Sequence, residues 1–245
     1  MEKLKNPPIK EALLHVSFAL PENIDVETFR PFLKVLEGKY PTVKKKVAFN
    51  VVESLEGDES IINKNIELAG FLLINKEETQ LIQITKNGLA LNRLKPYTSW
   101  EELITEYHLL FDEFVKLFPR AIYDKLSVRY INKLDLVIDS NNGINDYITL
   151  YPNIPVGIPS TLNKYFLQAQ VPNDDGTLVA NITQNFHYCK NDSKLIHYTF
   201  DIEINTSCTI IKEEIFEHFE RLRVFKNKIF FNSITEITKN IYNAD

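Results

Sequence analysis

The chain is poor in the residue types that usually announce a chemistry. It holds 2 cysteines, 1 methionine, 1 tryptophan and 7 glycines among 245 residues. Cys189 and Cys208 are too few for a disulfide framework, and neither belongs to a CxxC pair. Both read as small thiols buried or half-buried in packed surroundings. Glycine is too sparse for a phosphate-cradling loop, and GxGxxG and the P-loop are absent. No HExxH occurs, and no histidine pair has ligand spacing on one helix face, so no metal is expected. GxSxG, a Cys–His nucleophile turn and SxxK are missing in any working context. No catalytic residue and no cofactor are therefore expected. No stretch approaches about 18 apolar residues, which excludes a membrane-spanning helix. The opening residues are polar, and Ala12–Leu20 is interrupted by His15 and Ser17, unlike a secretory signal. The expected compartment is a reducing cytoplasm.

Charge of one sign is also scarce. The net charge is −5, so the surface as a whole is not built for nucleic acid. Lys44-Lys45-Lys46 is the one dense basic run, read as a solvated loop ahead of a strand. Tyr and Phe are abundant, yet they do not interleave with Arg or Lys as an RNA-reading sheet requires.

What is present is the composition of a folded protein: 44% hydrophobic, 25% charged and 11% aromatic. Glu11–Leu20 reads as a strand stopped by Pro21. Phe29, Phe32, Leu33 and Leu36 form one helix face, capped by Asp25 or Thr28 and left through Gly38. Val47–Val52, Leu68–Ile74, Leu81–Ile84 and Leu89–Leu94 read as strands, with a hairpin at Lys76–Thr79 and a turn or bulge at Asn87-Gly88. Ser99 and Glu102 form a capping box. The stripe Trp100, Leu103, Tyr107, Leu110, Phe111, Phe114 and Phe118 follows at helical spacing, and Pro119 ends it.

A second half repeats that order. In Leu126–Ile138, alternation puts Leu126, Val128, Tyr130, Leu134 and Leu136 on one face. Asn145–Tyr151 allows a short helix, and Pro152–Pro159 must be irregular. Tyr165–Val171, Leu178–Tyr188 and Leu195–Ile204 form a meander. A long helix is expected from about Thr209, with Ile211, Ile215, Phe219, Leu222, Phe225 and Ile229 as its stripe. Ile234, Ile237 and Ile241 continue it after a break near Phe230. The expected fold is α+β: a single domain, 1–245, with pseudo-repeated halves 1–120 and 121–245. Each half is strand, helix, meander, long helix. Together they form a curved antiparallel sheet with long helices on one face, as in helix-grip or TATA-binding-protein-like folds.

Three strings carry a resemblance: Pro7-Pro8-Ile9-Lys10-Glu11-Ala12, Asn92-Arg93-Leu94-Lys95-Pro96-Tyr97-Thr98-Ser99-Trp100-Glu101, and Val128-Arg129-Tyr130-Ile131-Asn132. In order and spacing they resemble a prokaryotic family of unknown function, sporadically distributed among bacteria and archaea. The resemblance supplies no activity, cofactor or catalytic set. The family's patchy distribution implies an accessory gene near defence or toxin-antitoxin functions.

Arg93 and Arg129 lie in otherwise apolar strands. A buried guanidinium requires a partner, and Glu11, Asp135, Asp201 or Glu203 could supply it. Either the arginines form an anion-binding pair, or an internal Arg–carboxylate network fixes strand register. Trp100, beside Tyr97, either anchors the long helix or walls a ligand. In a tight hairpin His187 falls opposite Ile196, which sends His197 to the other sheet face. The leading functional expectation is a non-enzymatic module that binds another protein or a second copy of itself. A sheet with helices on one side leaves its other side to be covered. The alternative is a binding protein or enzyme for a small anion, sited between sheet and long helices. Arg93, Arg129 and Asp201 would be its polar groups, and Trp100 or Tyr130 its aromatic wall.

Overall fold

The computed structural model describes every residue except 1, 21–23, 57–58, 140–141, 153, 156, 158–161, 191 and 245. The expectations for Pro21, Pro159 and the Cys208 thiol lie outside the described residues. The fold is α+β, with a large open antiparallel sheet. The strands are β1 (Ile9–Ala19), β2 (Thr42–Glu56), β3 (Glu59–Ile74), β4 (Gln80–Thr85), β5 (Gly88–Leu94), β6 (Ile122–Val137), β7 (Phe166–Pro172), β8 (Leu178–Cys189) and β9 (Asp192–Ile210). The helices are α1 (Arg30–Leu36), α2 (Trp100–Leu117), α3 (Ile215–Ser233) and α4 (Glu236–Asn243). Among the described residues the strand order is β2-β3-β4-β5-β1-β6-β9-β8-β7. No helix is long and apolar enough to cross a membrane.

The chain divides into two compact units. The N unit comprises His15–Arg93 and Thr98–Asp124; the C unit comprises Met1–Leu14, Leu94–Tyr97 and Lys125–Asp245.

In the N unit, α2 follows its sequence signals. Ser99 adopts extended backbone, and its side chain accepts a hydrogen bond from the Glu102 amide at 3.1 Å. Glu101 and Glu102 lie at the positive end of the helix dipole and Lys116 at the negative end. Trp100, Leu103, Tyr107, Leu110, Phe111 and Phe114 are buried as one stripe. Phe114 is the centre of an aromatic cluster, with the Phe18 ring centroid at 4.6 Å, Phe118 at 5.0 Å and Phe32 at 6.0 Å. Tyr107 donates to the Leu89 carbonyl at 3.2 Å, which ties α2 to β5. Asp25 caps a 3₁₀ turn, Val26–Phe29, that leads into α1. Gly38 does not take the left-handed conformation expected of it; the helix tightens instead, with the Lys39 and Tyr40 amides both bonded to the Leu36 carbonyl. The β3–β4 turn is organised by Asn75, whose Oδ1 accepts from the Thr79 and Gln80 amides at 2.9 and 2.8 Å.

Two expectations change here. Lys44–Lys46 is not a loop but part of β2, paired with Leu72, Phe71 and Gly70. The β2–β3 pair also runs far past the predicted strands. It continues to Glu56↔Glu59, whereas β4 pairs only with Gly70–Ile74.

In the C unit, Leu126, Val128, Tyr130, Leu134 and Leu136 are buried on one face of β6, as the alternation requires. β9 runs on to Ile210, so the final helix starts six residues later than Thr209. The stretch Thr206-Ser207-Cys208-Thr209-Ile210 is rich in β-branched residues and stays extended. Asn145–Tyr151 yields one 3₁₀ turn, Ile144–Asp146. α3 ends at Ser233, where Ile234 bridges Ile148 and Thr235 caps α4.

Phe114→Ala is expected to cost about 3–5 kcal/mol, and Ser99→Ala about 1 kcal/mol, because the first opens a buried cavity and the second removes one cap. Urea denaturation of both variants checks the ratio.

Candidate functional site

Strand alternation sorts the side chains of the C unit into a buried face and an open one. On the open face Thr183 opposes Asp201, Asn181 opposes Glu203, Asn185 opposes Thr199 and His187 opposes His197. Arg129 joins this face. Its Nε lies 2.9 and 3.2 Å from the two Asp201 oxygens and its Nη2 2.6 Å from Oδ2. This is a bidentate pair across strands β6 and β9. Hydrogen bonding to Asp201 raises the guanidinium pKa further. Arg129 is not buried as its strand context suggested; its side chain is 44% exposed, against 16% for Asp201. Around the pair lie Gln170, Asn181, Glu203, Ser127 and Asn205, joined by side-chain hydrogen bonds. A face of this chemistry is compatible with water and needs no covering.

Arg93 and Trp100 belong to the N unit and have separate surroundings. Arg93 is mostly buried, and its Nη2 is 4.0 Å from Glu102. The Gln80 amide oxygen accepts from both its terminal nitrogens, at 3.1 and 2.7 Å, while the Gln80 amide nitrogen donates to the Tyr40 hydroxyl at 2.8 Å. Tyr40 donates onward to Glu106 at 3.0 Å, and Lys39 pairs with Glu106. Burial and the Glu106 charge push the Tyr40 phenol far up, so it stays a donor. Trp100 is buried at the first position of α2. The structure thus brings Arg129 to Asp201 and gives Arg93 an amide-mediated path to a carboxylate.

Tyr130 points to the opposite face from Arg129. It is buried, its hydroxyl is 2.9 Å from that of Tyr97, and the two rings meet edge-on at 5.6 Å. Tyr97 and Tyr130 come from two of the three strings that carry the resemblance. The first string meets the third nearby, where the Lys133 amide donates to the Pro8 carbonyl at 2.8 Å. Over the Tyr130 ring, 3.9 Å from its centroid, sits the Lys226 ammonium nitrogen. Lys226 lies on the core-facing row of α3 with Ile215, Phe219, Leu222 and Phe230, and is 8% exposed. The sequence stripe had continued through Phe225 and Ile229; these are half-buried, and Lys226 and Phe230 take the inward row.

Lys226 makes no hydrogen bond or ion pair with any described residue. Ring-face attraction is its one favourable polar contact there. Burial first, and then the Arg223 charge, lower its pKa from 10.5 to about 7. An amine in that state can hold a proton, release it, or meet an anion near neutral pH. The same buried face holds Gln184, fully buried, with neither amide atom hydrogen-bonded within the structure. Sequence reasoning missed both residues. The available signals were a lysine four residues beyond Leu222 and a glutamine in the alternating apolar run of β8.

The histidine geometry also departs from expectation. His187 pairs directly with His197, their rings 5.4 Å apart on one face, and His197 Nδ1 lies 2.6 Å from Asp135. A register shift at Tyr188/Cys189 produces this alignment. No group of three or more metal-ligating side chains occurs among the described residues. No family model matches the chain, and no curated protein matches it.

Two outcomes follow. A double-mutant cycle on Arg129→Ala and Asp201→Ala should give a coupling of about 1 kcal/mol or less, because the pair is partly exposed. For Lys226, the unfolded chain keeps its proton to pH 10.5 while the folded chain loses it near 7. The unfolded state binds more protons between those values, so stability rises with pH across that window and is lowest below it. Stability should therefore climb by on the order of 1 kcal/mol per unit from about pH 7 to 9.5. Lys226→Met should abolish that slope and raise stability near pH 6, as read by denaturation at a series of pH values.

Proposed function

We propose that the protein is a non-enzymatic module that binds another protein, and that its docking element is the β2–β3 ribbon. One observation carries this reading. β2 is a terminal strand of 15 residues, and among the described residues Val47–Glu56 and Glu59–Leu68 pair only with each other beyond the last β4 contact. Ten residues of ribbon correspond to roughly 30 Å of strand. Among the described residues the outer edge of β2 has no sheet partner, and such an edge is a template for strand addition. Apolar side chains accompany it: Val43 and Val47 are each 44% exposed and Ile66 is 62% exposed. Lys44, Lys45 and Lys46 at the root of the ribbon oppose indiscriminate edge pairing and favour an acidic partner strand. The open face of the C unit is polar and tolerates water, so the ribbon rather than the sheet face is the docking element.

The element order also supports reading the chain as two pseudo-repeated halves, 1–120 and 121–245. Each would be strand, helix, strands, long helix, in the manner of helix-grip or TATA-binding-protein-like folds. Such a scaffold holds the ribbon without a catalytic site. A role accessory to prokaryotic defence or toxin-antitoxin functions remains an implication of the resemblance.

The test is a ribbon-shortened variant in which residues 47–68 are replaced by an Asn-Gly turn, purified by affinity tag from the native host beside the wild type. The wild type should carry a stoichiometric polypeptide that the variant loses, with circular dichroism unchanged apart from the lost strand. Equal capture by both forms, or a wild-type dimer in native mass spectrometry, would overturn the reading.

A further inference from the structure

The open face of the C unit brings two histidines together across one hairpin. His187 on β8 and His197 on β9 are direct cross-strand partners. Their ring centroids lie 5.4 Å apart, with the ring planes inclined at 59°. The strands hold both in place, because their sequence neighbours alternate inward. Phe186 is buried beside His187, and Ile196 and Tyr198 are buried on either side of His197. The Tyr198 hydroxyl is held in turn by that of Tyr165 at 3.1 Å. The imidazoles stand on the other face. His187 is exposed and the His197 side chain is 24% exposed, so solvent reaches both.

The separation is that of a chelating pair. Two imidazoles bound to one tetrahedral Zn²⁺ at about 2.0–2.1 Å have centroids roughly 5 Å apart, because each ring lies just behind its ligating nitrogen. The right angle of a square-planar ion would draw them to roughly 4.5 Å. A carboxylate completes the pattern. Asp135 on β6, the strand next to β9, places Oδ1 2.6 Å from His197 Nδ1. The Asp135 backbone amide donates to the Tyr242 hydroxyl at 3.0 Å, which ties this stretch of β6 to α4. A carboxylate at Nδ1 keeps the proton of the neutral ring there and leaves Nε2 with its lone pair. It also offsets part of the charge that an ion would bring. An Asp–His contact alone accounts for His197 but not for a second imidazole directly opposite. Protonated, the two rings would repel across the strands; sharing one metal ion turns that opposition into attraction.

We propose that His187 and His197 bind one divalent transition-metal ion, Zn²⁺ being the best match, with Asp135 as the positioning residue behind His197. Imidazole ligands suit zinc, copper and nickel and not magnesium or calcium. Two protein ligands leave the remaining positions of the ion to water, so the site stays open to an outside donor. Ligand spacing in the sequence does not reveal the pair, because the register shift between Tyr188 and Cys189 decides that the two rings share a face. The contacts of His108 with Asp112 and of His218 with Glu214 are of another kind, an imidazole and a carboxylate one helical turn apart. This proposal stands independently of the ribbon reading.

Isothermal titration calorimetry of the untagged full chain with ZnCl₂ is the test, with MgCl₂ as the control. The wild type should bind a single Zn²⁺ per chain and take up no Mg²⁺. His187→Gln and His197→Gln should each weaken zinc binding, and the double variant should lose it. His108→Gln should leave it unchanged. Asp135→Ala should weaken zinc by about tenfold or more, and Asp135→Glu should restore most of the loss. Circular dichroism should be the same for every variant, since the substituted side chains lie outside the core. Absence of zinc binding by the wild type, zinc binding retained by the double variant, or equal affinity for Zn²⁺ and Mg²⁺ would overturn the proposal. Wild-type affinity in Asp135→Ala would overturn the part given to Asp135.

Discussion

Everything in this structure depends on the burial of one face of an antiparallel sheet beneath long helices. That burial is the main source of favourable free energy for the fold. It dictates the alternation on β6, β8 and β4, and it dictates the apolar rows of α2 and α3. In the N unit the layer is aromatic, with Phe18, Phe32, Phe114 and Phe118 around one helix. In the C unit Phe200 and Phe230 do the same work, but the row is interrupted by Lys226.

That interruption is the main departure from what stability alone would select. A leucine at position 226 would pack against Tyr130 without a desolvation cost. An amine there depends on the ring face of Tyr130, and the burial that surrounds it disfavours its charge. The contrast with Arg129 is instructive. Arg129 stands on the wet face, meets Asp201 in bidentate geometry and is electrostatically satisfied. Arg93 is satisfied as well, through Gln80. The two arginines that strand context singled out are both accounted for by internal partners, while the lysine that a helical stripe concealed is not.

The legible parts of the fold are those in which local chemistry and burial agree. Ser99, the acidic first turn and the stripe from Trp100 to Phe114 specify α2 unaided. Tyr130 was readable as an inward residue because Leu126, Val128, Tyr130, Leu134 and Leu136 recur at even spacing along β6. The stripe of α3 was misread past Leu222 because hydrophobicity favours Phe225 and Ile229 over Lys226. Both pairs lie near helical spacing, and packing decides which row faces the sheet. The His187–His197 pairing was hidden for a related reason: one register shift near the hairpin exchanges the faces, and turn geometry at that resolution is not encoded in composition.

The sequence by itself determined the class of the protein, its antiparallel strands, the strongest helix and the absence of familiar catalytic motifs. Periodicity and capping are local, and a local reading suffices for them. Only the tertiary structure decided that Asp201 rather than Glu11, Asp135 or Glu203 meets Arg129. It alone showed that Thr42–Glu56 and Glu59–Ile74 pair as one long ribbon, and that a lysine on the inward row of α3 rests on the Tyr130 ring. Each of these is a relation between residues distant in the chain, fixed by strand register and helix rotation. Neither quantity exists until the layers have packed.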